Sequence, residues 1–253
     1  MFNPVSTMEY RALSSHRRSS GARRWSGRLL GALFPPTCIL CGAPGAGGRD
    51  LCLGCAAELP FNRHSCRCCG VPFDGPVTAL CASCQRRTPP FARAIAALRY
   101  ETPVSNLVAD AKFRGRLNTA RLLGDILADE IRAQGLTLPQ ALLPVPLHPR
   151  RLAERGYNQA LEIARVVGRA LALPIDARCC RRVLATPPQA GLDQGARRGN
   201  LRGAFTAQTP LPWAHIAIVD DVMTTGSTVS ELALVLRRAG AVTIDVWAVA
   251  RTA

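Results

Sequence analysis

Hydrophobic and polar positions change period several times along this chain. Residues 91–100, Phe-Ala-Arg-Ala-Ile-Ala-Ala-Leu-Arg-Tyr, read as a strand. Val104–Phe113 and Asn118–Ala133 then place apolar residues three and four apart, the spacing of helices that bury one face. Ala141–Leu147 is a short apolar strand that runs into Pro144-Val145-Pro146, and Tyr157–Leu171 returns to helical spacing. His215–Asp220 is a second apolar strand, followed by a helix from Thr228 to Ala239 and a closing β-rich strand, Val242–Ala250. Strands that alternate with helices predict an α/β fold, a parallel sheet with flanking helices and right-handed crossovers. In such sheets ligands bind beyond the carboxyl ends of the strands.

Two segments break the pattern and are too polar and long for simple connectors: residues 144–159 and residues 186–202. The second has no periodicity, which marks a lid, a binding loop or a disordered stretch. Residues 1–21 are rich in Ser and Arg and read as a disordered tail. Trp25, Leu29, Leu30 and Leu33 have helical spacing with Arg23, Arg24 and Arg28 between them, until Pro35-Pro36 stops the run. This reads as a short docking helix within residues 22–36; the alternative is a helix lying on a membrane surface through residues 22–34. No apolar run approaches the roughly 18 residues of a spanning helix. No secretory signal is expected, because no long apolar region follows the basic N-terminus.

Cysteine alters the reading of residues 37–90. Cys38-x-x-Cys41, Cys52-x-x-Cys55, Cys66-x-x-Cys69 and Cys81-x-x-Cys84 form four knuckles separated by ten, ten and eleven residues. Each knuckle aims two thiolates at one point, and two knuckles complete a tetrahedral Zn²⁺ shell. The expectation is a small double zinc ribbon with two structural zinc ions, in a reducing compartment. Sequential pairing of knuckles is the simplest arrangement, and interleaved pairing stays open. Cys68 is a spare thiol, and Cys179-Cys180 read as small buried residues.

The net charge of +15 adds less than its size suggests. Residues 1–37 carry +5, residues 38–90 carry +2 and the remainder +8. Such an excess suits a polyanionic ligand, nucleic acid or an acidic membrane surface, and does not choose among them. Thirty-one of the 32 basic residues are Arg, and Lys112 is the single Lys.

The most chemically loaded segment is Ile216-Ala217-Ile218-Val219-Asp220-Asp221-Val222-Met223-Thr224-Thr225-Gly226-Ser227-Thr228. Two carboxylates at the end of an apolar strand repel each other and resist burial, which a purely structural turn does not need. The loop after them can turn N–H groups and hydroxyls toward a phosphate beside a helix N-terminus. The carboxylates can accept hydrogen bonds from sugar hydroxyls.

This order resembles the phosphoribosyl pyrophosphate (PRPP) signature of type I phosphoribosyltransferases. The resemblance implies that Asp220 and Asp221 hold the ribose 2′- and 3′-hydroxyls. It implies that Thr224, Thr225, Gly226, Ser227 and Thr228 cradle the 5′-phosphate, with Mg²⁺ accompanying PRPP. The four knuckles, Pro-Val-Pro-Leu-His-Pro-x-Arg from Pro144, Arg-Gly-Tyr-Asn-Gln from Arg155, Thr-Pro-x-Gln from Thr186, Arg-x-x-Asn ending at Asn200 and the signature itself are together similar to the ComF family. The match runs from about Pro35 to Arg251 and implies a double zinc ribbon over 37–90 and a phosphoribosyltransferase domain over 91–253. Leu147, His148, Arg151 and Arg155 follow a strand end and suit the pyrophosphate side, and the resemblance implies that Asn158 and Gln159 lie in or near the site. Gln189, Arg197 and Asn200 become candidates for a closing lid, and Lys112 lies in a Lys-x-Arg-Gly segment of the family type. The plainer readings are a solvated Arg150-Arg151 turn, a helix-capping Asn158, an exposed basic loop at 186–202 and a solvated helix end at Lys112.

If transfer occurs, the residues expected to support it are Asp220, Asp221, Arg151, Arg155, Gln189 and Arg197. The ComF resemblance further implies a role in competence-related DNA uptake, in the cytoplasm at the inner face of the membrane, with single-stranded DNA and other uptake proteins as partners. Two alternatives are a phosphoribosyltransferase of nucleotide metabolism with an unidentified acceptor, and a nucleic-acid-binding zinc-ribbon adaptor whose transferase domain is not catalytic.

Overall fold

The computed structural model describes residues 35–73, 80–185 and 201–253. The expected tail, most of the expected docking helix, and Gln189, Arg197 and Asn200 of the expected lid lie outside the described residues.

Two short helices, α1 (Leu53–Ala57) and α2 (Ala82–Arg86), belong to the cysteine-rich part. They are followed by β1 (Arg93–Arg99), α3 (Val104–Phe113), α4 (Leu117–Ala133) and β2 (Ala141–Pro144). Then come α5 (Pro149–Arg155), α6 (Gln159–Leu171), β3 (Cys180–Arg182), β4 (Phe205–Ala207), β5 (His215–Met223), α7 (Ser227–Arg238) and β6 (Thr243–Arg251).

The predicted parallel sheet is present, with strand order β1-β6-β5-β2. Its central strands β5 and β6 are buried on both faces, as their near-continuous apolar runs require. On one face α3, α4 and α6 pack Leu107, Leu123, Leu127, Ile163 and Val167 against Ala217, Val219 and Trp247. On the other, α7 packs Leu232, Ala233 and Leu236 against Ile216, Ile218 and Val246. Gly124 lets α4 and α6 approach closely, since a Cβ there would lie 2.7 Å from Val166 Cβ.

Neither edge of the sheet is left bare. Outside β2, Leu142 N donates to Pro174 O and Asp176 N to Leu142 O, both at 2.9 Å. Outside β1, the cysteine-rich segment supplies the partners. Asn62 N donates to Ala97 O at 3.0 Å, Arg99 N to Pro60 O at 2.8 Å and Ala94 N to Cys68 O at 2.8 Å. The module thereby closes an edge that would otherwise offer unpaired amides to another chain.

Four local features differ from the sequence pattern. The strand expected over 141–147 stops at Pro144. The segment read as a connector holds α5, which begins with Pro149, is capped by His148 and ends on the left-handed Gly156. Strand β5 does not end at the aspartates but runs through them to Met223, because β6 keeps pairing: Asp220 with Ala248, Val222 with Ala250, Met223 with Arg251. The antiparallel pair β3–β4 has no counterpart in the pattern; it brings Arg182 beside Phe205 and flanks the expected lid. Among the described residues no helix is long and apolar enough to cross a membrane.

Candidate functional site

Asp220 and Asp221 sit at the carboxyl end of β5, where side chains alternate between faces. Asp221 is buried, and Lys112 from the last turn of α3 brings Nζ to 2.8 Å from its Oδ2. Burial alone would lower the Lys112 pKa; the Asp221 carboxylate outweighs it and raises the pKa instead. Asp220 is half-buried and accepts a hydrogen bond from Asp221 N at 2.9 Å. Its pKa is raised well above the ordinary carboxylate range, first by desolvation and then by the Asp221 charge. One carboxylate is thus tied to a lysine, and the other is the strained member of the pair.

The loop after β5 turns at Gly226, whose φ of 74° is left-handed and whose missing Cβ would lie 3.0 Å from Met223 Cε. Thr225 Oγ1 lies 2.8 Å from Ser227 Oγ and also accepts from Ser227 N at 3.4 Å. Helix α7 starts there with no side-chain cap on Gly226 and no acidic residue in its first turn. Its N-terminus therefore keeps its positive dipole end facing the loop.

Past the end of β2, the strand that pairs with β5, lies a cleft of about 590 Å³ lined by Pro144, His148, Tyr157, Asn158, Arg165 and Arg182 among others, with none of residues 220–228 in its lining. Elements α5 and α6 and strand β3 form its walls. Asn158 caps α6: its Oδ1 accepts from Ala160 N at 3.0 Å, and its Nδ2 donates to Val145 O at 3.0 Å. Gln159 is buried, and its Oε1 has no hydrogen-bond partner among the described residues. His148 Nδ1 accepts from Arg150 N at 3.2 Å and so caps α5. Arg151 and Arg155 are half-buried on α5, and the Arg155 guanidinium stands 5.1 Å from the centroid of the exposed Phe113 ring. The Tyr157 hydroxyl donates to Ala111 O, latching α3, and hence Lys112, to the corner between α5 and α6.

The fold therefore ties Lys112 to Asp221 just ahead of residues 224–228, sets Arg155 against Phe113 beside Lys112, and places His148 and Asn158 in the cleft at the end of β2. Sequence reasoning did not select Arg182. It is buried on β3, with its guanidinium 5.6 Å from the Phe205 ring, and its pKa is lowered first by burial and then by Arg151. A three-residue strand has no periodicity to announce it.

The cysteines resolve into two tetrads: Cys38, Cys41, Cys52 and Cys55, and Cys66, Cys69, Cys81 and Cys84, each with its sulfur atoms within 4.8 Å of one another. This is the sequential pairing. Tetrahedral Zn–S bonds of about 2.3 Å imply sulfurs about 3.8 Å apart. Cys41 and Cys52 Sγ are 3.7 Å apart, and Cys69 and Cys81 Sγ 3.6 Å. Burial pushes the Cys38 and Cys66 thiols up, but surrounding backbone N–H groups outweigh it and bring them down to about 6 and about 7. Burial raises Cys69 to about 11. Four sulfurs this close do not all ionise without a cation between them, so donor type, number and spacing fit Zn²⁺.

A family model described as a double zinc ribbon domain matches residues 29–85. Over 223 residues the chain is 37% identical to "DNA utilization protein YhgH" of Salmonella typhi, covering 86% of this chain and 98% of the relative. It is 34% identical over 213 residues to "Competence protein F" of Haemophilus influenzae, covering 80% of this chain and 91% of that relative. The chain belongs to the ComF family. The YhgH protein of Escherichia coli K12, 35% identical over 223 residues, fits the same assignment. In this ComF-family chain the two tetrads are consistent with two structural zinc ions, each in a closed Cys₄ shell.

Proposed function

We propose that this ComF-family chain binds PRPP at residues 220–228 and uses that binding in competence-related DNA uptake. One observation carries the reading: Asp221 is tied to Lys112, and Asp220 stands beside it directly ahead of the Thr-Thr-Gly-Ser-Thr loop and the uncapped start of α7. The two carboxylates are suited to accept the ribose hydroxyls, and the loop hydroxyls and amides to receive the 5′-phosphate. Mg²⁺ accompanying PRPP would supply charge neutralisation of its phosphates. His148, Arg151 and Arg155 take the pyrophosphate side, Asn158 orients α6 there, Gln159 lies beneath it, and Gln189, Arg197 and Asn200 belong to a lid. In this reading residues 37–90 form the double zinc ribbon and residues 91–253 the PRPP-binding domain, acting in the cytoplasm. Residues 22–34 offer contact with the inner membrane face.

The relatives' names speak of DNA utilization and competence, which supports a role in handling incoming DNA. In this reading single-stranded DNA is the partner, and the arginine excess is compatible with it without selecting it. A second reading, transfer of the phosphoribosyl group to an acceptor, is favoured by the cleft of about 590 Å³ past the end of β2, the strand paired with β5. Loss of pyrophosphate from C1 would need positioning and charge neutralisation more than covalent help. Incubation of the zinc-loaded chain with PRPP, Mg²⁺ and a panel of nucleobases and DNA oligomers separates the readings. Retention of intact PRPP supports the binding role, and pyrophosphate release with one acceptor supports transfer. No protection of PRPP and no binding would overturn both.

A further inference from the structure

Arg251 is the last residue of β6, and only 7% of it is exposed. No sequence motif includes it; it is a charge inside an apolar strand. Its guanidinium spans two parts of the molecule. On one side Nε donates to Cys69 O at 3.3 Å, on the knuckle that supplies two ligands of the second tetrad. On the other, Nη1 donates to Met223 O at 3.1 Å and to Thr224 O, where β5 gives way to the phosphate loop. The same nitrogen reaches Thr252 O at 2.9 Å.

The knuckle is itself held firmly. Cys66 N donates to Val71 O and Gly70 N to Cys66 O, both at 2.9 Å, and Cys68 O accepts from Ala94 N at 2.8 Å. Gly70 has a φ of +65°, and a Cβ on it would lie 3.0 Å from Ala94 O. Cys66, Cys68, Cys69 and Cys84 share one apolar cluster with Met223 and Val229, the residues that flank the loop. The first tetrad contributes Cys38 to the cluster on the opposite face of the sheet. In a planar trans peptide the carbonyl and the following N–H point in opposite directions. Holding the carbonyls of Met223 and Thr224 against Arg251 therefore aims the amides of Thr224 and Thr225 away from it.

We infer that Arg251 is a positioning residue that couples the second cysteine tetrad to the phosphate loop, so that metal in that tetrad sets the loop for its ligand. Among the described residues no hydrogen bond joins the first tetrad to the loop in this way. The inference rests on the reading of residues 224–228 as a phosphate loop only for its ligand arm; the mechanical coupling stands by itself. Lysine keeps the charge but lacks the fork that reaches both carbonyl groups.

The test is amide hydrogen exchange on the full zinc-loaded chain, with Arg251→Lys, Cys81→Ser and Cys41→Ser beside the wild type. Arg251→Lys should keep two zinc ions and unchanged exchange over residues 216–219, while residues 223–228 exchange about tenfold faster, the scale of a lost charged hydrogen bond. Cys81→Ser should reproduce that acceleration and Cys41→Ser should not. By reciprocity, PRPP with Mg²⁺ should raise the affinity of the second site for zinc, read by equilibrium competition with a chelator, in the wild type and not in Arg251→Lys. A role confined to packing would not move this last readout. If a variant does not fold, stepwise chelation of the wild type decides: loop exchange must follow loss of the second zinc. Unchanged loop exchange in Arg251→Lys, equal effects of the two tetrads, or loop exchange indifferent to chelation would overturn the coupling. Failure of wild-type chain to bind PRPP would overturn the phosphate reading instead, and the exchange comparison would still decide the coupling.

Discussion

Asp220 and Asp221 are neighbours in β5, yet the fold treats them in opposite ways. Asp221 is buried against Lys112, while Asp220 has no comparable ion pair among the described residues, and desolvation and the Asp221 charge raise its pKa well above the ordinary carboxylate range. In the unfolded chain the Asp220 proton leaves within the ordinary carboxylate range; in the folded chain it leaves later. Between the two, the folded state binds more protons, so this group makes stability fall as pH rises through the window. Asp220→Asn should therefore raise the melting temperature, more in alkaline than in acidic buffer, and scanning calorimetry at several pH values checks it. The stabilised variant should bind the sugar phosphate worse, a conflict between stability and function that marks a working site. The same scale shows where the sequence misleads. Lys112 reads equally well as a solvated helix end, but the fold directs this single lysine onto Asp221. Nothing in the local pattern around residue 112 announces a partner more than a hundred positions away.

Among the elements, α6 shows how capping positions the cleft. Asn158 satisfies the first amides of the helix and, through Nδ2, the end of the β2 segment at Val145. Asn158→Ala should cost about 1–2 kcal/mol in denaturant unfolding, whereas Asn158→Asp should keep the cap and lose only the bond to Val145. Equal losses in the two variants would mean that the bond to Val145, and not the cap, matters. Long amphipathic elements were legible: α3 has the bounds read from its spacing, and α4, α6, α7, β1 and β6 lie within two residues of theirs. Short elements were not. Helix α5 is seven residues long and enclosed by prolines and a glycine that read as loop. Strands β3 and β4 have three residues each and pair across a long insertion, so their signal is non-local. Continuation of β5 through two aspartates follows from the ladder with β6, which overrides the local preference against charge in a strand.

At the scale of the whole molecule, the cysteine spacing announced two metal shells but not where they dock. They grip the free edge of β1 and feed opposite faces of the sheet: Cys38, Leu51 and Leu59 on one, Cys66, Cys68 and Cys69 on the other. Those contacts run largely through backbone amides and carbonyls, which leave no mark on the residue types. The candidate site is similar: the pattern of residues 216–228 stands out in the sequence and family resemblance singles out Lys112, whereas the tie of Lys112 to Asp221 and the support from Tyr157 and Arg251 arise only in the fold. The central claim is that this supported loop holds PRPP. Calorimetric titration of PRPP with Mg²⁺ into the zinc-loaded wild type and Asp220→Asn tests it most directly. The wild type should show saturable one-site binding and the variant should lose it while staying folded with its zinc content unchanged. Equal affinity in the two proteins, or no binding by the wild type, would contradict it.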